Sequence, residues 1–179
     1  MPFCAAYNEG VRLLRESENA MFKKIMVPFD GSDHARRALE VAKGMVLENS
    51  ETTLYLVSVT ASTVAQSVSG TDGGQQIAGV PMFLAEKEEY KHLVDSVLDQ
   101  QRQALGAQAG DILADLGDRV VVDVAVAPSP AEGIVNYAEK NGCDLIVMGR
   151  RGLGALRGML GSVSYGVLHS ADVPVMTVK

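Results

Sequence analysis

DLIVMGRRGLGALRGMLGSVS, residues 144–164, carries the strongest structural signal in the chain. The apolar run from Asp144 to Met148 predicts a buried strand, and the pattern from Ser162 to Ser170 predicts a short helix. A glycine-rich loop between a strand and a helix is a setting in which backbone N–H groups and the helix dipole can receive phosphate oxygens. We therefore predict a strand, a loop and a helix with an anion site where the strand ends.

Apolar strand patterns alternate with helical patterns over the rest of the chain from Phe22 onward. Four further strands are predicted at residues 24–29, 52–59, 119–126 and 173–179, and three further helices begin at Ser32, near Leu84 and at Pro130. The strand at 119–126 is rich enough in Val for burial on both faces, and Gly106 and Gly110 predict a weak point in the second helix. Five strands separated by helical crossovers indicate an α/β fold with an open parallel sheet and helices on both faces.

Two segments stand outside this pattern. Residues 1–20 hold at most one short amphipathic turn, so we predict an N-terminal appendage followed by one domain over residues 21–179. Residues 60–81 are rich in Ser, Thr, Gly and Gln with little periodicity, and they predict a long mobile loop inserted into the domain.

Composition excludes several classes of protein. The 179 residues are 47% hydrophobic and 21% charged, which fits one globular domain. Sixteen Lys and Arg against twenty-two Asp and Glu give a net charge of -6, and Trp is absent, so binding to nucleic acid is not expected. No run is long and apolar enough to insert into a membrane, and no leader pattern is visible. We predict a cytoplasmic protein in which Cys4 and Cys143 are free thiols.

The loop at residues 149–162 concentrates positive charge. Arg150, Arg151 and Arg157 lie in a segment without a single acid, and such a cluster can outweigh distant carboxylates because screening at physiological salt acts over about 8 Å. The pattern is neither a P-loop nor a dinucleotide G-x-G-x-x-G after the first strand. Two interpretations stay open at this point: a phosphate site, or a tight turn with solvated arginines.

From Phe22 to Lys179 the chain resembles the universal stress protein family, in particular its ATP-binding branch. The resemblance is carried by residues 25–32, 144–152, 161–164 and 173–175. The family's loop is written G-x-x-G, nine residues, then G-[S/T]; here Gly149 and Gly152 are followed by eight residues and then Gly161 and Ser162. A second departure is Pro128, which stands where the family commonly has the glycine of Gly-x-Pro.

The resemblance implies a sheet in the order 3-2-1-4-5, with a ligand cleft at the carboxyl ends of strands one and four. It implies ATP as the ligand, with AMP or ADP as alternatives and Mg²⁺ or Mn²⁺ held through the phosphates. The adenosine pocket would be lined by Pro28, Phe29, Asp30 and Val59. Ribose and phosphates would be flanked by Gly149, Arg150 and Gly152. The phosphates would be held by Gly161, Ser162, Val163 and Ser164, and Met148 completes the predicted set. Asp30 in an ordinary turn and Val59 in the core are the competing interpretations.

The predicted function is that of a nucleotide-binding stress-response or signalling module. No catalytic base or nucleophile is positioned next to the loop, so slow ATP hydrolysis is the most that we expect. His34, His92 and His169 lie on three different elements, so no protein metal site is predicted. The alternative function is that of a nucleotide-free dimeric interaction protein whose loop is structural. The loop glycines and the Gly161-Ser162 pair favour nucleotide binding, whereas the missing spacer residue favours the nucleotide-free alternative.

The last strand, 173–179, is predicted to form an edge of the sheet. Its alternating Val173, Val175 and Val178 present an apolar edge that must be protected or paired. The family resemblance implies pairing with a second copy in a homodimer. The alternative is that the N-terminal appendage covers this edge.

Overall fold

The computed structural model describes residues 21–61, 76–77, 80–81, 87–153 and 160–179. Its strands are β1 Lys24–Pro28, β2 Thr53–Ala61, β3 Gln76–Ile77, β4 Val80–Pro81, β5 Val120–Ala127, β6 Leu145–Gly149 and β7 Val175–Val178. Its helices are α1 Asp33–Glu48, α2 Lys87–Leu113, α3 Pro130–Asn141 and α4 Ser162–Ser170, and a 3-10 turn covers Gly117–Arg119.

The main sheet has five strands in the order β5-β2-β1-β6-β7, and every neighbouring pair is parallel. Numbered by their order along the chain, these strands run 3-2-1-4-5. The predicted fold and strand order are therefore confirmed. In such a sheet the connections from the two central strands leave on opposite faces, and a cleft opens between the strands' carboxyl ends.

Side chains of the central strands point alternately into two apolar layers. Ile25 and Val27 of β1 belong to the layer beneath α1 and α2, whereas Met26 belongs to the layer beneath α3 and α4. All three are almost wholly inaccessible to water. Because central strands of a parallel sheet are covered on both faces, their sequences are continuously apolar. The sheet is therefore the rigid frame from which the connecting loops project.

The helix ends are fixed by specific hydrogen bonds. Ser32 caps α1 by accepting from the N–H of Ala35 over 3.2 Å, as its place in the sequence predicts. Ser129 caps α3 in the same way, and Gly142 ends that helix in the left-handed conformation. At the other end of α1, Arg119 donates to the carbonyl oxygens of Val46 and Asn49. These contacts explain why both helices begin and end where they do.

Three expectations about individual segments are corrected. Residues 60–81 are not wholly irregular, because β2 continues to Ala61 and β3 pairs with β4 in antiparallel fashion. The third sheet strand, β5, is not buried on both faces: Val121 and Val126 are 38% and 48% exposed, because β5 lies at the sheet edge. Helix α2 also continues through both of its glycines without a break. Residues 1–20 and the predicted helix start at Leu84 lie outside the described residues.

Within the described part of the chain, no helix combines the length and the apolar character needed to cross a bilayer.

Candidate functional site

A cleft of about 670 Å³ opens at the carboxyl ends of β1 and β6. The ladder between these strands pairs Ile25 with Leu145 and Met26 with Ile146, and it ends there, short of both carboxyl ends. The described residues that line the cleft are Pro28, Phe29, Asp30, Ala35, Ser58, Val59, Pro130, Ile134, Met148, Gly149, Arg151, Gly152, Leu153, Leu160, Gly161, Ser162, Val163 and Ser164.

The structure brings the predicted site residues together around this one cleft, with a single exception. Arg150 is not among the described lining residues, and its neighbour Arg151 is. The lining also includes residues that the sequence did not indicate: Ala35, Ser58, Pro130, Ile134, Leu153 and Leu160. Ser58 and Pro130 were detectable in principle, since one adjoins the end of a predicted strand and the other begins a predicted helix. The inward-facing Ile134 could be assigned only once α3 was placed over the sheet.

The first wall of the cleft follows β1. Phe29 is buried, its N–H donates to the carbonyl oxygen of Val57 over 2.9 Å, and the Arg36 guanidinium lies 6.0 Å from its ring centroid. Asp30 is exposed, and its Oδ1 atom accepts from the N–H of Ser32 over 3.0 Å. Asp30 therefore does hold the turn into α1, as one of the two interpretations of this residue required.

The other oxygen of Asp30 faces the glycine loop. A Cβ atom placed on Gly152 would lie 2.5 Å from Asp30 Oδ2, closer than real Cβ atoms approach an oxygen. A residue with a side chain at 152 would thus displace the carboxylate. The residue after β1 and the loop that follows β6 are therefore closely packed at this point.

Gly149, at the end of β6, is needed for the packing of the sheet against α1. A Cβ atom at this position would lie 2.8 Å from the carbonyl carbon of His34 and 2.9 Å from the N atom of Ala35. Both are backbone atoms of α1, so neither can move without shifting the helix. The absence of a side chain here has a structural reason that holds with or without a ligand.

A chain of hydrogen bonds fixes the second wall, which runs from β6 to α4. The Ser164 hydroxyl, buried in the first turn of α4, donates to the carbonyl oxygen of Gly149 over 2.9 Å. The N–H of Gly161 donates to the Arg150 carbonyl oxygen over 3.0 Å, and the Arg150 N–H donates to the Val178 carbonyl oxygen over 2.7 Å. The Ser164 proton is therefore used within the protein, whereas Ser162, at the start of the helix, is exposed.

The cleft combines an apolar inner surface with a polar rim. Val59, Ile134 and Met148 contribute apolar side chains from β2, α3 and β6. Within the described part of the wall, Asp30 is the one carboxylate and Arg151 the one cation. No group of three or more His, Cys, Asp or Glu residues that could hold a metal ion occurs among the described residues. This chemistry suits a ligand with a flat apolar portion and an anionic portion.

Comparison with known proteins identifies the family of this chain. The model of the universal stress protein family matches residues 21–179. The chain belongs to the universal stress protein family. One curated relative, the universal stress protein YxiE of Bacillus subtilis, is 32% identical over 166 residues, covering 89% of this chain and all of that protein. The solved structure of the protein MJ0577 is 27% identical with a TM-score of 0.63 and covers 89% of this chain and 96% of its own; the curated MJ0577 of Methanocaldococcus jannaschii is a universal stress protein.

Two further universal stress protein structures share the fold and contain nucleotides. One, in complex with cAMP, is 20% identical with a TM-score of 0.56 over 88% of this chain and 97% of its own. The other, from Archaeoglobus fulgidus in complex with dAMP, is 21% identical with a TM-score of 0.55 over 89% and 99%. At these identities the likeness shows the fold, and the nucleotides are properties of those two proteins.

Proposed function

We propose that this universal stress protein binds ATP in the cleft between β1 and β6 and acts as a nucleotide-dependent stress-response or signalling module. One observation carries the proposal: the Asp30 turn after β1 and the glycine loop after β6, far apart in sequence, converge on a single cleft. Open α/β sheets bind ligands at this position of the fold.

The cleft fits an adenine nucleotide in size and chemistry. Its volume of about 670 Å³ lies within the usual range of small-molecule sites. Val59, Ile134 and Met148 offer an apolar surface for the base, and Asp30 lies where a ribose hydroxyl could donate to it. The backbone N–H groups at the start of α4 and the exposed Ser162 hydroxyl suit phosphate oxygens.

The proposed ligand is ATP, with ADP and AMP as alternatives. Two proteins of this fold hold cAMP and dAMP, which supports an adenine base in the cleft and leaves the number of phosphates to experiment. Any Mg²⁺ or Mn²⁺ would be held by the phosphate oxygens and water, since Asp30 is the one carboxylate in the described wall and its Oδ1 atom already accepts from Ser32. Such an ion would neutralise phosphate charge.

The proposed activity is binding, with slow ATP hydrolysis at most. Among the described lining residues, Asp30 is the one carboxylate, and its Oδ1 atom already accepts from the Ser32 N–H. Helix α4 contributes backbone donors that can hold phosphate oxygens, but hydrolysis also needs a positioned base or nucleophile. The module would therefore respond to nucleotide by changing its conformation or its partners.

The proposal includes a homodimer formed through residues 173–179 and a location in the cytoplasm. Strand β7 has a neighbour on one side in the described sheet, and Met176 on it is 36% exposed. Paired edges of two copies would cover this strand. A cytoplasmic location accords with a supply of ATP and with the free thiol of Cys143.

A second candidate function is that of a nucleotide-free dimeric interaction protein. Gly149 and Ser164 have structural roles that need no ligand, and the spacer between Gly152 and Gly161 is one residue shorter than the family's nine. Under this alternative the loop closes the second wall by itself. The two functions differ in one measurable property, the affinity for nucleotide.

Calorimetric titration of the purified protein with ATP and AMP tests the proposal. We expect micromolar binding, which corresponds to about -8 kcal/mol. Gly152→Val and Gly161→Val should abolish it, because their side chains would meet Asp30 Oδ2 and the Arg151 backbone. Gly44→Ala, on the exposed face of α1, is the folded control with unchanged affinity. Wild-type protein that binds neither nucleotide would favour the nucleotide-free alternative.

A further inference from the structure

Two adjacent arginines after β6 occupy different environments. The backbone of Arg150 bridges β7 and the start of α4. Its N–H donates to the carbonyl oxygen of Val178, and its carbonyl oxygen accepts from the N–H of Gly161. Arg150 is not among the described residues that line the cleft, whereas Arg151 is. Their equal charge and neighbouring positions make them a natural pair for comparison.

Arg151 lines the cleft beside the residue that precedes α4. A Cβ atom on Gly161 would lie 3.3 Å from the Arg151 Cα atom, so the two backbones are nearly in contact. The Arg151 side chain is partly buried, and its Nε atom is inaccessible to water. Arg151 therefore lines the cleft close to the residue at which α4 begins, with part of its side chain buried.

This placement adds a full positive charge to the partial charge of a helix start. Guanidinium groups bind phosphate through paired hydrogen bonds, and their affinity for anions is strongest where water is partly excluded. The chain as a whole has a net charge of -6, which repels anionic ligands at long range. A local cation in the cleft offsets that repulsion at the site itself.

We infer that Arg151 sets the preference of this cleft for phosphorylated over unphosphorylated ligands. The inference rests on the proposed function and adds a specificity-determining residue to it. Asp30 is the one carboxylate of the described wall and Arg151 the one cation, so Arg151 is the charged side chain there that can attract a phosphate group. The energetic contribution of Arg151 is present for ATP and AMP and absent for adenosine.

The test compares the affinities of ATP, AMP and adenosine for four proteins: wild type, Arg151→Gln, Arg150→Gln and Arg37→Gln. Arg37 is the charge-matched control, since it lies on α1 and donates to the carbonyl oxygen of Lys179. We expect Arg151→Gln to weaken ATP about 10- to 100-fold, AMP by a smaller factor and adenosine by less than about twofold. Arg150→Gln should weaken ATP less than Arg151→Gln does, and Arg37→Gln should act as a general charge change, by less than about threefold.

Each outcome is decisive. Equal losses of ATP affinity in the Arg151 and Arg150 variants, or a matching loss for adenosine, would overturn the inference while wild-type binding upholds the proposed function. Wild-type protein that binds no nucleotide would overturn both. Arg151→Lys keeps the charge without the planar fork and should bind ATP with intermediate affinity. Should Arg151→Gln fail to fold, Arg151→Met removes the charge in its place, and an ATP affinity equal to that of wild type would overturn the inference.

Discussion

The Ser164 hydroxyl donates to the carbonyl oxygen of Gly149, so the first turn of α4 is tied to the last residue of β6 by a 2.9 Å hydrogen bond. Fifteen positions of chain separate the two residues, and the glycine-rich loop lies between them. Because the bond is buried, it closes the base of that loop independently of any ligand. Ser164 and Ser162 therefore have different roles although both are serines in the first turn of one helix.

Ser164→Ala should destabilise the protein, and Ser162→Ala should not. Removing a buried hydrogen bond costs about 1 to 2 kcal/mol in the free energy of unfolding, whereas a change at an exposed position usually stays within about 0.5 kcal/mol. In a domain of this size the first loss corresponds to a fall in Tm of about 2 to 8 °C. Urea denaturation of both variants checks the difference. Equal stabilities would show that the Ser164 bond contributes nothing to the fold.

Gly149→Ala and Gly44→Ala should change stability in opposite directions. At 149 the new methyl group would meet backbone atoms of α1 at 2.8 and 2.9 Å, and overpacking of this kind costs about 1 to 3 kcal/mol. At Gly44, within α1, nothing lies within 4 Å of an added Cβ, and Ala is the better helix former by about 0.5 to 1 kcal/mol. Thermal unfolding of the two variants measures both effects. A stabilising Gly149→Ala would contradict the close packing of β6 on α1.

The parallel sheet was predictable from the hydrophobic period and the crossover connections, whereas its strand order was implied by the family resemblance. That implied order located the cleft, because strands one and four are then neighbours and Asp30 and Gly149 follow neighbouring strand ends. The family resemblance pointed to Arg150, whereas Arg151 lines the cleft. The sequence could not show this, because side-chain direction in an irregular loop has no period. Val121 illustrates another limit, since a Val-rich pattern looks alike in a central strand and in an edge strand.

The short β3 and β4 strands were missed for a related reason. Two residues are too few to show an alternation of apolar and polar side chains, and the surrounding composition is typical of loops. Conversely, Gly106 and Gly110 predicted a weak point in α2, and the helix continues through both. Leu105 and Ala109 beside them are buried against the sheet layer, and this packing outweighs the low helix propensity of glycine.

Asp123 should make stability depend on pH in the acid range. Burial by itself would raise the pKa of this carboxyl group, but hydrogen bonds from Arg102, the Val124 N–H and the Tyr137 hydroxyl outweigh it and hold the pKa below its usual value. A pKa that is lowered on folding gives stability that is present above the unfolded value, about 4, and is lost as pH falls through the folded value.

Asp123→Asn should therefore lower the free energy of unfolding at pH 7, and its difference from wild type should shrink below about pH 4. Urea titrations at pH 7, 5 and 3 measure this. The control is Asp115→Asn, which removes an exposed surface pair with Lys43 and should cost less than about 1 kcal/mol at pH 7. A difference between Asp123→Asn and wild type that stays constant from pH 7 to 3 would show that the Arg102 and Tyr137 contacts do not depend on the charge of Asp123.

Cys143 should be unreactive in the folded protein. Burial raises the pKa of its thiol to about 11, and the negative charge of Asp144 acts in the same direction while Lys24 opposes it. At pH 8 about one thiol in a thousand is then ionised, against about a quarter for an exposed cysteine. In a Cys4→Ser variant, iodoacetamide should modify Cys143 only as fast as the domain opens, and urea above the unfolding midpoint should restore the rate of a free thiol. Rapid modification at pH 8 without denaturant would mean that the layer between α3 and β6 opens far more often than a buried core allows.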